Sequence, residues 1–202
     1  MPEDLKRRVA CEAATLLYFG IEKEYKQAKD KAAQTLGTHF LPSNFEIALE
    51  LDKIAEENEG DKRKARLIEM RQEALNAMNL LSAYMPVLIG SVWRGTIRVG
   101  SDIDIAVYAD DTENILTILR ACNVKVTQTT WTTVNKKGAT LESFHIYAQT
   151  PSKHGLEIVV RSTEEAGKKR RCETFGDELV GLNIKELKKV LATNPTQQFL
   201  PK

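Results

Sequence analysis

The chain has 202 residues, enough for one domain or one domain with a small second one, and 42% of them are apolar, as in ordinary globular proteins. Its 29 basic and 28 acidic residues leave a formal net charge of +1, which excludes an overall nucleic-acid-binding field but leaves local patches open. Three scattered cysteines without a C-x-x-C pair argue against a disulfide framework or zinc site and favour a cytoplasmic setting. Because no apolar run has the length of a membrane span, we expect no membrane partner.

Residues 1–83 have the periodicity of α-helices. The predicted helices are bounded by glycines and capping signals, and they cover residues 4–19, 21–36, 43–60 and 62–83. Ser43 and Glu46 have the spacing of a capping box, while Gly37 and Gly60 mark helix ends. The last helix carries an apolar stripe, for which packing in a core is the favoured interpretation.

Beyond Pro86 short alternating segments replace the helical pattern. The predicted strands are rich in Ile, Val or Thr, and they cover residues 87–89, 102–108, 124–133, 141–148 and 156–161. Residues 135–138 indicate a hairpin connection, and residues 112–121 a helix. A second capping-box pair, Asn183 and Glu186, predicts a helix near the end of the chain.

This order predicts an α+β fold with three parts. A helical N-terminal region covers residues 1–83, a mostly antiparallel sheet domain covers 84–165, and a C-terminal tail with a short helix covers 166–202.

The candidate functional residues lie just after one predicted strand, 87–89, and at the start of the next, 102–108. Asp102 and Asp104 are two apart on a strand, so their side chains point to the same face and repel one another unless a cation lies between them. Oxygen ligands of this kind suit Mg²⁺ or Mn²⁺. Gly90 lets a backbone N–H approach a ligand closely, and Ser91 adds a hydroxyl donor, so together they suit phosphate oxygens beside a metal.

A third carboxylate would complete a two-metal site, and Glu157 is the best candidate because it lies in an otherwise apolar predicted strand. The alternative is that Glu157 faces solvent or pairs with Arg161 or a lysine. Glu142 is a rival for the third position, but its surroundings are more polar and therefore less unusual.

The pattern from Gly90 to Asp104, G-S-x-x-R-G-x-x-R-x-x-S-D-x-D, resembles the signature of the DNA polymerase β-like nucleotidyltransferase superfamily. It is most similar to the minimal nucleotidyltransferases of bacteria and archaea, and also to archaeal-type CCA-adding enzymes. The chain further resembles archaeal proteins in which this domain follows a helical region.

The resemblance implies a mixed sheet with helices on one side and the acids on adjacent strands. It implies transfer of a nucleoside monophosphate from an NTP to an acceptor hydroxyl, with release of pyrophosphate. By this resemblance Asp102 and Asp104 would bind two Mg²⁺ (or Mn²⁺) ions, and Glu157 would bind the catalytic one. Gly90 and Ser91 would hold the triphosphate. A glutamate at the third position departs from the commoner aspartate.

Basic residues near this signature have two interpretations each. Arg94 and, with less support, Arg98 either contact the triphosphate or are solvated loop residues. Trp93 either stacks on a base or, as favoured, packs against the sheet. The run 168–171 (Lys-Lys-Arg-Arg) either contacts a nucleic-acid backbone or, as favoured, is solvated, because no aromatic residues are interleaved with it.

The sequence is compatible with three functions. The leading hypothesis is an active metal-dependent nucleotidyltransferase acting on RNA, a protein or a small molecule. The second is a non-catalytic nucleotide-binding or protein-interaction module on the same fold, and the third is a metal-dependent phosphodiesterase or nuclease. The helical region would form either an acceptor cleft or the surface of a homodimer.

Overall fold

The structure is a computed structural model, and it describes residues 2–136 and 139–201. Its helices are α1 (Pro2–Tyr18), α2 (Tyr25–Thr35), α3 (Asn44–Leu80), α4 (Gly90–Arg94), α5 (Thr112–Ala121) and α6 (Ile184–Thr193). Its strands are β1 (Val87–Ile89), β2 (Ile103–Tyr108), β3 (Lys125–Lys136), β4 (Ala139–Gln149), β5 (Gly155–Arg161) and β6 (Leu182–Asn183).

The strands form one mixed sheet in the order β3-β4-β5-β2-β1-β6. Neighbouring strands are antiparallel except for β2 and β5, which are parallel and lie side by side in the centre. The parallel pair brings Asp104 of β2 and Glu157 of β5 into register. The predicted α+β fold is confirmed.

The two faces of the central strands differ in chemistry because successive side chains point to opposite sides. On one face the side chains are buried and apolar, and they pack with the second half of α3 and with α5 and α6. The other face, which we call the site face, carries Asp104 from β2 and Glu157 from β5.

The N-terminal helices have a hydrophobic cluster of their own, formed by α1, α2 and the start of α3. Residues 67–81, in the second half of α3 and just after it, belong instead to the cluster under the sheet. The predicted domain boundary at residue 83 stays a prediction, but α3 physically connects the two clusters.

Several predicted boundaries shift. Gly20, in the left-handed region at φ 68°, ends α1, and α2 begins only at Tyr25 rather than at residue 21. The predicted helices on either side of Gly60 form one element, interrupted by the non-helical backbone of Gly60. Ser43 and Glu46 make the predicted capping box. Gly90 and Ser91, expected at the end of a strand, and the start of the expected loop after them form α4 (Gly90–Arg94). Part of the predicted hairpin at 135–138 lies outside the described residues.

Arg71 of α3 fixes α4 against the end of the chain. Its guanidinium is fully buried and donates hydrogen bonds to the backbone carbonyls of Val92, Trp93, Pro195 and Gln197, at 2.7 to 3.1 Å. Burial lowers the Arg71 pKa to about 10, which still leaves the side chain charged at neutral pH. One cation therefore stabilises both the turn after Gly90 and the C-terminal segment.

No helix in the described part of the chain combines the length and the apolar character needed to cross a membrane. The three cysteines are free.

Candidate active site

Gly90 directly follows β1 and lies beside the carboxylate of Asp104. Its φ of +70° is in the left-handed region, and a Cβ atom at this position would lie 2.8 Å from Cγ of Asp104. β1 and β2 are antiparallel neighbours with Ile89 opposite Asp104, so the register itself brings the turn onto the acid. Both the backbone conformation and the available space therefore require glycine at position 90.

Gly155 plays the same part for Asp102. A Cβ atom at Gly155 would lie 2.8 Å from Cγ of Asp102, because the start of β5 lies beside the start of β2. Gly155 directly precedes the strand predicted at residues 156–161. Each of the two aspartates thus has a glycine against its carboxylate.

Asp104 and Glu157 lie directly opposite each other on parallel strands, so their carboxyl groups influence each other's charge. Burial first, and then the nearby charges of Glu157 and Asp102, together raise the pKa of Asp104 to about 8. Burial and the Glu157 charge also raise the pKa of Asp102. The predicted three carboxylates are therefore neighbours, and their mutual repulsion is not compensated by a buried cation among the described residues.

Glu142, the rival third carboxylate, is exposed on β4 and is paired with Thr133 of β3. β5 separates β4 from β2 in the sheet, so Glu142 is one strand further from Asp104 than Glu157.

A histidine contacts the third carboxylate. Nδ1 of His145 lies 2.6 Å from Oε1 of Glu157, and Nε2 of the same ring lies 2.8 Å from Oγ of Ser143. The ring also stacks on Tyr147, with centroids 6.4 Å apart. Ser143, His145 and Tyr147 alternate along β4, so all three side chains share the site face with Glu157.

Within residues 2–136 and 139–201, no group of three or more His, Cys, Asp or Glu side chains has the arrangement of a complete metal site. The acids nonetheless fit a divalent cation chemically. Asp102, Asp104 and Glu157 offer hard oxygen donors. The pKa of Asp104 is raised by burial and then by the two neighbouring negative charges, and a bound cation would offset both effects.

A cavity of about 270 Å³ opens beside Gly90 and Ser91. One wall comes from the sheet domain and includes Arg98. The helical wall comes from the N-terminal helical region and includes Lys23, between α1 and α2, and Tyr25, the first residue of α2. The helical region therefore contributes directly to the space next to the predicted phosphate-binding residues.

Arg94 lies on the wall of this cavity, but its guanidinium is used inside the protein. The side chain is 3% exposed, forms an ion pair with Asp177 at 2.6 Å and donates to the carbonyl of Phe199 at 2.9 Å. It also lies 4.3 Å from the ring centroid of Trp93 and 4.2 Å from that of Phe175. These contacts give Arg94 a structural role, and its predicted contact with a nucleotide stays a prediction.

Arg98 is more available than Arg94. Burial raises the pKa of both Asp102 and Tyr25, and the charge of Arg98 offsets part of each rise, so Arg98 lies within electrostatic reach of both groups. Its side chain donates an exposed hydrogen bond of 3.2 Å to the carbonyl of Val99. Burial raises the pKa of Tyr25 to about 12, which keeps this phenol neutral.

Sequence reasoning missed Gly155, His145, Tyr147, Lys23 and Tyr25. The polar alternation of β4 was visible in the sequence, but the strand register that brings it to Glu157 was not. Nothing local to Lys23 and Tyr25 indicates that they reach the cavity beside Ser91.

The sequence was compared with models of protein families and with curated proteins. The sequence model described as a nucleotidyltransferase domain matches residues 72–173, about half of the chain. No curated protein matches the sequence.

Two solved structures illustrate the structural likeness. One is of a cytoplasmic RNA terminal U-transferase, at 18% identity and a TM-score of 0.30, covering 58% of this chain and 34% of that one. The other is of the non-canonical poly(A) polymerase complex GLD-2–GLD-3, at 14% identity and a TM-score of 0.33, covering 57% and 40%. This chain thus spans less than half the length of either, and with TM-scores this low we draw no functional conclusion from them. From the match of the family model, the chain belongs to the nucleotidyltransferase domain family.

Proposed function

We propose that the chain transfers a nucleoside monophosphate from an NTP to an acceptor hydroxyl in a reaction that depends on divalent metal ions. The observation that carries this proposal is the buried Asp104, whose pKa is raised to about 8 by burial and by Glu157 and Asp102. Such a carboxylate cluster is costly by itself, and it lies against the Gly90 turn, where a phosphate would be held.

In this proposal Asp102, Asp104 and Glu157 hold two Mg²⁺ or Mn²⁺ ions. When bound, the metals neutralise the charge that develops on the α-phosphate and on the departing pyrophosphate. The acceptor oxygen forms a bond to the α-phosphorus, the bond from that phosphorus to the bridging oxygen breaks, and pyrophosphate leaves with the electron pair. The carboxylate of Glu157 accepts the hydroxyl proton.

The nucleotide occupies the cavity beside Ser91 in this proposal. The backbone at Gly90 and the hydroxyl of Ser91 bind the triphosphate, and Arg98 adds a positive charge next to Asp102. Lys23 and Tyr25 on the helical wall bound the remaining space and contact the nucleoside.

The test is incubation with each α-labelled NTP and Mg²⁺ or Mn²⁺, with and without RNA, protein and metabolite pools as acceptors. We expect label transfer by the wild type, loss in Asp104→Asn, and no change in Asp61→Asn, whose side chain is fully exposed on α3. Mn²⁺ binding, followed by electron paramagnetic resonance, gives a second readout that does not depend on the acceptor.

The outcomes separate the competing functions. NTP binding that is sensitive to Ser91→Ala but accompanied by no transfer to any pool would favour the non-catalytic nucleotide-binding module. Equal Mn²⁺ binding by the wild type and by Asp104→Asn would overturn the metal site.

A further inference from the structure

The site face has opposite charges at its two ends. On the parallel strands β2 and β5, Asp104 lies opposite Glu157. Four residues further along each strand, Tyr108 lies opposite Arg161. At about 3.3 Å per residue, the basic end lies roughly 13 Å from the acids. A cavity of about 300 Å³ lies over the basic end, between the sheet and the segment 166–180.

Four cations line this cavity: Arg161, Lys168, Lys169 and Arg170. Lys168 and Arg170 share the carboxylate of Glu165, each at 2.6 Å, and Lys169 pairs with Glu178 at 2.9 Å. Two carboxylates therefore face four cations, which leaves an excess of two positive charges.

The excess of positive charge has an observable effect on Arg161 and Arg170. Burial and then the charge of Arg170 lower the pKa of Arg161, so the two guanidinium groups are close enough to repel each other. Nε of Arg170 is buried and has no hydrogen-bond partner among the described residues. Like charges held close together at a cavity are what an anionic ligand would stabilise.

The fold also supplies the aromatic residue that the basic run lacks in sequence. Tyr108 lines the same cavity, although sixty residues separate it from Lys168 in the chain. Cations together with an aromatic surface are the combination that binds single-stranded nucleic acid, through backbone phosphates and base stacking.

We propose that this cavity binds the backbone phosphates of a single-stranded polynucleotide whose terminal hydroxyl is the acceptor at the carboxylates. The inference rests on the proposed function, and it names the acceptor class for that site. The strand runs along the site face, with its reacting end at Asp104 and its preceding phosphates at Lys168, Lys169 and Arg170. Tyr108 stacks on a base between them.

The test measures binding of a fluorescein-labelled oligouridylate of about 12 nucleotides by anisotropy, without NTP or metal. Lys168→Gln/Lys169→Gln is compared with Lys188→Gln/Lys189→Gln, an adjacent exposed pair on α6 with the same loss of charge. We expect the first pair of substitutions to weaken binding about tenfold and to reduce the salt slope by about 0.7 for each lysine. The second pair leaves both quantities unchanged.

Tyr108 gives an independent arm of the experiment. Tyr108→Leu is expected to weaken binding about tenfold with an unchanged salt slope, because stacking releases no counterions, while Tyr108→Phe keeps most of the affinity. Equal affinity of the two lysine double variants would overturn the inference. So would displacement of the oligonucleotide by uridine monophosphate or inorganic phosphate at equal phosphate concentration, since the ligand would then be a small phosphorylated molecule.

This result can be told apart from failure of the proposed function. Oligonucleotide binding that depends on Lys168 and Lys169, without any NTP-dependent transfer, counts against the proposed function and supports the binding site. NTP-dependent transfer to RNA that both lysine double variants retain equally counts against the binding site alone.

Discussion

The carboxylate of Asp104 fills the space that a side chain at Gly90 would need, with its Cγ 2.8 Å from the position of the missing Cβ. Gly90→Ala must therefore displace the acid or the turn, and it also places a methyl group at φ +70°. We expect nucleotidyl transfer to fall about 100-fold, the effect of moving a reacting group by about 1 Å. Single-turnover transfer rates measure it.

Gly100→Ala is the matched control, because Gly100 has φ +80° but open space around its Cβ position. It carries the conformational cost, about 1 kcal/mol of stability, without the collision. Gly155→Ala carries the collision with Asp102 at an ordinary φ, and it should reduce activity as Gly90→Ala does. Equal activity of the Gly90 and Gly100 variants would show that the close approach has no catalytic consequence.

The metal-free protein should lose stability as pH rises from about 5 to 8. An unfolded aspartate releases its proton near pH 3.9, whereas Asp104 in the folded protein keeps its proton until about pH 8. Between these values the folded state binds the extra proton, so the free energy of unfolding decreases by up to about 1.4 kcal/mol per pH unit. Urea unfolding at several pH values measures this slope.

Asp104→Asn cannot titrate and should flatten the pH dependence of stability while raising stability at pH 8. Asp61→Asn, at a fully exposed position, should keep the wild-type slope. Addition of Mn²⁺ at pH 8 should stabilise the wild type more than the Asp104 variant, since a ligand of the folded state adds to its stability. A slope that persists in Asp104→Asn would assign the effect to another group.

His145 should increase the affinity of the carboxylates for a metal ion. Its ring holds Glu157 at 2.6 Å, and partners of ligand carboxylates typically contribute about 10- to 100-fold in metal affinity. We expect His145→Ala to weaken Mn²⁺ binding about tenfold. Ser143→Ala, which removes the contact on the other ring nitrogen, is the control and should change affinity far less. An unchanged Mn²⁺ dissociation constant in His145→Ala would contradict this role.

Replacement of Arg71 should destabilise the fold strongly. Arg71→Leu leaves four backbone carbonyls without their donor, and a buried unsatisfied acceptor costs about 1–3 kcal/mol. We expect a loss of at least about 3 kcal/mol in the free energy of unfolding by urea. Arg120→Leu, at an exposed position on α5 with one ion pair at 3.5 Å, should stay within about 0.5 kcal/mol of the wild type.

The sequence predicted the parts of the site that depend on local spacing. Asp102 and Asp104 are close because they are only two residues apart at the start of β2, although the strand begins at Ile103 and not at residue 102 as predicted. The bounds of α5 were predicted to the residue because its signals are local. The pairing of Glu157 with Asp104 depends on the register of β2 and β5, which are joined by a long connection. The otherwise apolar strand around Glu157 indicated that this residue has a function. That Asp104 is its neighbour could be seen only in the folded structure.

The contacts of Arg94 could not be predicted from its spacing in the sequence. Its position near Ser91 indicated a phosphate contact, whereas Asp177 and Phe175 approach it from a segment about eighty residues later. No local pattern reveals that a charged side chain will be buried by such a segment. The same holds for Tyr108 and the basic run, whose proximity exists only in the folded chain.

Arg71 has a further consequence for how the molecule opens. Because one guanidinium binds carbonyls of α4 and of residues 195–197, loosening either segment removes a donor from the other. Amide hydrogen exchange in the two segments should therefore proceed with one shared opening free energy, although about a hundred residues separate them. The C-terminal segment would then serve as a spectroscopic reporter, far from the carboxylates in sequence, of whether the turn at Gly90 is ordered.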